Sequence, residues 1–152
     1  MTVEVGQEAP DFVLPSADNE KVTLSSFRGE KNVVLVFYPW AFTRTCTGEL
    51  CTIRDRIATF EGDDVVTLAV SCDPRFSLKI FADREGYPFP LLSDFWPHGE
   101  VAERYGVFNE RAGVAIRGTF IIDKDGIVRY TVINGIPDAR DPDAYEKVLA
   151  TL

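Results

Sequence analysis

Histidine is nearly missing from this chain: His98 is the sole one among 152 residues. It stands in Trp96-Pro97-His98-Gly99, which reads as a turn, and it is distant in sequence from every cysteine. Cysteine–histidine catalysis of the protease or acyltransferase kind therefore has little support. Cysteines number three, an odd count that suits reduced or redox-active thiols better than a disulfide framework. Two thiols and one distant histidine fall short of the usual four ligands of a zinc site, so no metal is expected. Basic residues are outnumbered, 16 Lys and Arg against 24 Asp and Glu, for a net charge of −8. Nucleic acid and anionic membrane surfaces both want a basic face, so neither is expected as a partner. No apolar run approaches the ~20 residues of a membrane span. The opening Met1-Thr2-Val3-Glu4-Val5 lacks the basic start and apolar core of a secretory signal. A cytoplasmic protein is expected, with residues 1–152 as one domain large enough to bury a core without staples.

What is present alternates between strand and helix signals. Apolar pieces at Ala9–Pro15 and Lys21–Leu24 flank Ala17-Asp18-Asn19-Glu20, which predicts an N-terminal hairpin. Ser25–Lys31 reads as one helical turn closed by Gly29. Asn32–Tyr38, with its unbroken apolar run Val33–Phe37, has the pattern of a strand buried on both faces of a parallel sheet, and Val65–Ser71 reads as a second buried strand. Leu50–Phe60 predicts a helix with Leu50, Ile53, Ile57 and Phe60 on one face. Phe76–Arg84 predicts another, with Phe76, Ile80 and Phe81 turned inward. Glu100–Tyr105 is a shorter helix. Gly118–Asp123 and Ile127–Ile133 are strands joined at Lys124-Asp125-Gly126, a strong hairpin signal because Asp-Gly tolerates positive φ. Ala144–Leu152 closes the chain as a helix. The sum is an α/β fold with a mixed central sheet between helical layers.

The stretch Tyr38 to Cys51 carries the chemistry. Cys46 falls at a strand-to-helix junction, in or just before the first helical turn. Unpaired backbone N–H groups and the positive end of the helix dipole favour an anion there, so a reactive thiolate is expected. Arg44 adds positive charge two residues upstream.

Pro39-x-x-x-Thr43-x-x-Cys46 resembles the signature of the peroxiredoxins, thiol peroxidases on a thioredoxin-like fold. Four further segments are similar in the same order. They are Gly6-x-x-Ala9-Pro10-Asp11-Phe12, Glu49 three residues after the cysteine, Phe89-Pro90-Leu91-Leu92-Ser93-Asp94, and Arg117-Gly118-Thr119-Phe120-Ile121-Ile122-Asp123. The resemblance spans roughly the whole chain. Asp94–Gly99 with Tyr105-Gly106-Val107-Phe108 is most similar to the actinobacterial one-cysteine alkyl hydroperoxide reductase E branch.

The resemblance implies a three-layer thioredoxin-like fold and a role for each motif residue. Cys46 would be the peroxidatic nucleophile, leaving as a sulfenic acid. Thr43 would set its hydroxyl beside the sulfur, or else cap the helix. Pro39 would wall the thiolate from water. Arg117 would stabilise the thiolate and the departing oxygen with donors already in place. Arg44, Arg111 and Arg140 compete for that role by spacing alone, and Arg117 has the family's strand context. Glu49 would orient Arg117 through a bidentate pair.

Cys51 departs from the one-cysteine branch. Its spacing of five matches the resolving cysteine of the bacterioferritin-comigratory, or Q-type, branch, so Cys51 is a candidate resolving thiol. Five residues of α-helix rise about 7.5 Å, beyond the ~7 Å Cα limit for a disulfide, so a Cys46–Cys51 bond needs the first turn to unwind. An inert helix-face cysteine is the other reading. Cys72, after the second central strand, reads mainly as a small residue before a turn. Trp40, Phe42, Phe95, Trp96 and Phe108 are assigned to the core, to a pocket for organic hydroperoxides, or to the homodimer contact that the resemblance suggests.

The function implied is a thiol peroxidase acting on hydrogen peroxide, alkyl hydroperoxides or peroxynitrite, with no cofactor. Thioredoxin, a glutaredoxin- or mycoredoxin-like protein, or a low-molecular-weight thiol would return the sulfenic acid to thiolate. A thioredoxin-like disulfide oxidoreductase wants Cys-x-x-Cys, which Cys46 and Cys51 do not form. A non-enzymatic redox sensor stays open.

Overall fold

The structure, a computed structural model, describes residues 2–152. A β-hairpin opens the chain, β1 (Val13–Pro15) against β2 (Lys21–Thr23), followed by a 3-10 turn at Leu24–Phe27. The central sheet has five strands in the order β5-β4-β3-β8-β9. These are β3 (Asn32–Phe37), β4 (Val65–Ser71), β5 (Leu91–Ser93), β8 (Arg117–Ile122) and β9 (Val128–Asn134). β3, β4 and β5 are parallel, while β8 and β9 run antiparallel to their neighbours. The helices are α1 (Arg44–Asp55), α2 (Ile57–Phe60), α3 (Arg75–Glu85), α4 (Glu100–Arg104) and α5 (Pro142–Leu149). β6 (Phe108–Asn109) and β7 (Val114–Ala115) form a small separate hairpin that the sequence pattern does not announce.

Every residue of β3 is buried, as its unbroken apolar run requires for a central strand. Val34, Val36 and Tyr38 pack with Leu50, Ile53, Phe60, Leu78, Phe81 and Tyr145 from α1, α2, α3 and α5. Val33, Leu35 and Phe37 face the other way, onto Phe12, Val101, Tyr105 and Phe120. The sheet therefore lies between two apolar layers, and the period-two alternation of one strand feeds both.

Two helices differ from the sequence expectation. The helix drawn to Phe60 breaks at Arg56, whose backbone leaves helical values (φ −112°, ψ 29°) while its side chain reaches Asp143 and Glu146 of α5. Within α3, Phe76 and Ile80 are 67% and 64% exposed, and the inward row is Leu78 and Phe81. Apolar residues lie on both rows of this helix, so periodicity alone does not choose between them. The sheet beneath α3 does.

Candidate active site

β3 ends at Phe37, and Tyr38 makes one more sheet bond, to the Val70 carbonyl. Pro39 is buried at the start of the loop that follows. Thr43 is the N-cap of α1, and Thr47 donates to its carbonyl at 2.9 Å. Cys46 is the third helical residue, inside the first turn, where backbone N–H groups have no intrahelical acceptor. Its side chain points to the sheet and is 0% exposed.

Arg117, first residue of β8, meets it there. Its Nη1 lies 3.3 Å from Cys46 Sγ and 2.6 Å from Glu49 Oε1, and its Nε donates to the Ile136 carbonyl at 2.5 Å. Glu49 stands three residues after Cys46, on the same helix face. Its bidentate partner, however, is Arg140 rather than Arg117. Arg140 Nη2 reaches Oε1 at 2.9 Å, Nε reaches Oε2 at 2.9 Å, and the Arg140 backbone N–H reaches Oε2 at 2.7 Å. Arg117 comes to Glu49 through one nitrogen because the same nitrogen also faces the sulfur. Arg140 Nη1 goes on to the carbonyls of Phe37 and Gly118 and to Thr119 Oγ1, which in turn meets the Tyr145 hydroxyl.

Both arginines and Glu49 are buried. Burial works to raise the Glu49 carboxyl, but hydrogen bonds and charge from Arg140, with the charge of Arg117, hold it below the ordinary carboxylate range. Two guanidiniums against one carboxylate leave one positive charge in the interior, facing Cys46. Of the competing arginines, Arg44 and Arg111 are exposed, while Arg140 belongs to this cluster. No local pattern marks it, since it lies on a loop 91 residues from Glu49.

Thr43 differs from expectation on both counts. Its hydroxyl donates to the Trp40 carbonyl at 3.1 Å, with no hydrogen bond to the sulfur and no side-chain cap on α1. The loop has folded back on itself, since Phe42 adopts a left-handed φ of 70°. Cys51 lies further along α1, with Sγ 3.6 Å from both Glu85 Oε1 and the Tyr87 hydroxyl. The two sulfurs thus have different neighbours, in keeping with the helical geometry that separates them. His98 is structural: its ring nitrogens lie 3.0 and 2.7 Å from the carbonyls of Phe95 and Gly113, tying the Trp96 loop to the β6–β7 hairpin. Phe108 packs against the core, whereas Trp40, Phe42, Phe95 and Trp96 are exposed.

Cys72 is buried, and burial, with the charges of Asp94 and Asp73, pushes its thiol up to about 12. At pH 8 its thiolate fraction is then on the order of one in ten thousand. Native alkylation with iodoacetamide at that pH is expected to leave Cys72 unmodified for as long as the fold persists, and Cys72→Ala to keep wild-type peroxide turnover. Modification of Cys72 at the rate of a free thiol would contradict this.

The profile of the AhpC/TSA family matches residues 5–131. Alkyl hydroperoxide reductase E of Mycobacterium tuberculosis is 49% identical over 150 residues, covering 99% of this chain and 98% of that protein. The chloroplastic 2-Cys peroxiredoxin BAS1 of Spinacia oleracea is 36% identical over 158 residues, with 97% and 59% covered. Among solved structures, peroxidoxin BcpB from Mycobacterium tuberculosis superposes with a TM-score of 0.84 at 34% identity, covering 98% of this chain and 96% of that one. With a cysteine in the first turn of α1, an arginine from β8 upon it and this breadth of similarity, the chain belongs to the AhpC/TSA family, the peroxiredoxins.

Proposed function

We propose that Cys46 is the peroxidatic nucleophile of this thiol-dependent peroxidase. The observation that carries the assignment is the buried cluster of Arg117, Arg140 and Glu49, whose net positive charge faces one sulfur at 3.3 Å. The thiolate attacks one peroxide oxygen and the O–O bond breaks. The electron pair leaves on the other oxygen, which takes a proton from water to become water or an alcohol, or departs as nitrite when the substrate is peroxynitrite. Arg117, fixed by Glu49 and the Ile136 carbonyl, is already in place to meet the charge that builds on the departing oxygen. Pro39, buried at the start of the loop, walls the thiolate from water, and Thr43 ties the loop back to Trp40. Substrates are hydrogen peroxide, alkyl hydroperoxides and peroxynitrite.

Cys51 acts as the resolving thiol once α1 unwinds at its start. A cytoplasmic setting fits three unbridged cysteines, and a thiol reductant closes the cycle. Titration of wild type and Cys51→Ser with one equivalent of peroxide, mapping every sulfur by mass spectrometry, tests both roles. Wild type is expected to give a Cys46–Cys51 disulfide and the variant a Cys46 sulfenic acid. A wild-type sulfenic acid that persists beside a free Cys51 thiol removes the resolving role, and no oxidation at Cys46 removes the nucleophile.

A homodimer is the assembly proposed. Its contact uses Trp40, Phe42, Phe95 and Trp96, extended by the exposed Phe76 and Ile80 of α3. The Phe42 ring packs on Phe81 of the same helix α3 at 5.0 Å. Sedimentation of a Trp96→Glu/Ile80→Glu variant is expected to give monomer where wild type gives dimer. A monomeric wild type at 100 μM, or about that, ends this reading.

A further inference from the structure

The segment Pro39–Phe42 joins the last sheet bond, at Tyr38, to the N-cap of α1, at Thr43. Among the described residues, one hydrogen bond ties its backbone to another element of the fold: the Ala41 N–H donates to Asp73 Oδ2 at 2.9 Å. Among the described residues its other bond is local, accepted by the Trp40 carbonyl from Thr43 Oγ1. Asp73 is itself firmly seated beyond the end of β4. The Ser71 hydroxyl donates to the same carboxylate oxygen at 2.8 Å and accepts the Asp73 N–H at 3.3 Å. The Ser93 hydroxyl of β5 donates to the Asp73 carbonyl at 2.6 Å. Ser71 and Ser93 are buried. The carboxylate is thus a fixed point on the sheet to which the loop is fastened at one atom.

The fastened loop is under backbone strain. Phe42, next to Ala41, holds φ at 70°, a region that an L residue with a Cβ disfavours. Strain of this kind persists only where surrounding contacts over-determine it. Here the contacts are the Asp73 bond on one side and the packing of Phe42 on Phe81, at 5.0 Å between ring centres, on the other.

We propose that Asp73 is a positioning residue that latches the reactive loop closed over Cys46, and that release of the Ala41–Asp73 bond admits Cys51. The proposal rests on Cys51 being the resolving thiol and deepens that reading. Two steps make opposite demands on the loop. In the first, Cys46 S⁻ takes an oxygen from the peroxide and is oxidised by two electrons, which requires the first turn of α1 to be held against Arg117. In the second, Cys51 sulfur attacks the Cys46 sulfenic acid, an S–S bond forms, and the oxygen leaves as water with the proton of the Cys51 thiol. That step requires the same turn to open, because both cysteines lie within one continuous helix and their sulfurs face Arg117 on one side and Glu85 with Tyr87 on the other. A latch favours the first step and delays the second. A merely structural contact moves both in one direction.

The test follows each step separately in Asp73→Ala and Asp73→Asn, with tryptophan fluorescence for the oxidation of Cys46 by peroxide and acid-quenched mass spectrometry for disulfide formation. Losing a hydrogen bond to a charged acceptor is worth about tenfold or more in an equilibrium. Asp73→Ala is therefore expected to slow oxidation of Cys46 and to speed disulfide formation from the sulfenic acid, each by about tenfold. Asp73→Asn keeps an acceptor for the Ala41 N–H and is expected to restore both rates to within a few-fold. Changes of both steps in the same direction, or no change, overturn the latch. If Asp73→Ala does not fold, Ser71→Ala, which frees the carboxylate to turn, is expected to give the same opposed pattern at smaller amplitude, and wild-type rates would overturn it. Hydrogen exchange at the Ala41 amide separates this proposal from its premise. If wild type forms no Cys46–Cys51 disulfide, the premise fails. The latch is then retained only if exchange at Ala41 accelerates in Asp73→Ala together with slower oxidation.

Discussion

Replacing Arg117 by alanine is expected to slow the reaction of Cys46 with peroxide by about 10²–10³-fold, the usual effect of removing a preorganised donor from a site of developing charge. The protein should still fold, because Glu49 keeps its bidentate partner Arg140 and is not left alone. Arg117→Lys keeps the positive charge yet recovers only part of the rate. A single ammonium cannot meet the sulfur, Glu49 and the Ile136 carbonyl in the directions that Nη1 and Nε now serve. The measurement is the second-order rate of sulfenic acid formation, free of any reductant. Wild-type rates in Arg117→Ala would show that the guanidinium beside the sulfur has no part in the chemistry and would return the redox-sensor reading.

Glu49→Ala carries the largest expected cost in stability. It leaves the buried Arg117 and Arg140 with no counter-charge between them, and breaking a buried pair from one side costs about 3–5 kcal/mol. For a chain of this size that lowers the melting temperature by roughly 6–20 °C. Peroxidase activity falls with it, since Arg117 loses one of the two acceptors that aim it. The pH dependence follows from the same carboxyl. Its folded value lies below the ordinary 4.5, so the unfolded chain binds more protons in the window between the two. The stabilisation is therefore fully present above the ordinary value and is lost as pH falls through the folded one. Glu49→Gln should flatten this acid limb of stability while sparing much of the packing. An acid unfolding curve identical to wild type would show that Glu49 is not held ionised by the arginines.

Strand runs, the loop-to-helix position of Cys46 and the placement of Glu49 one turn later were legible because each is a matter of local spacing. A strand buried on both faces is mostly apolar, and a residue three positions on in a helix shares a face. The motif around Cys46 supplied Arg117 through the order of segments along the chain, though not its distance from the sulfur. Periodicity misled at α3, where Phe76 and Ile80 form one apolar row and Leu78 and Phe81 another, and the row that meets the sheet is chosen by the sheet. At Thr43 the motif placed the residue at the helix entry but not its hydroxyl, which donates to the Trp40 carbonyl beside a left-handed Phe42.

What the sequence by itself determined is a cysteine on a helix start in a mixed α/β fold, since those are consequences of neighbouring residues. Only the tertiary structure decided how that thiol is held. Arg117, Arg140 and Asp73 reach the loop and helix of Cys46 across 71, 91 and 32 positions of chain. Directional contacts over such separations depend on how strands register and which way loops return, and no spacing rule encodes either.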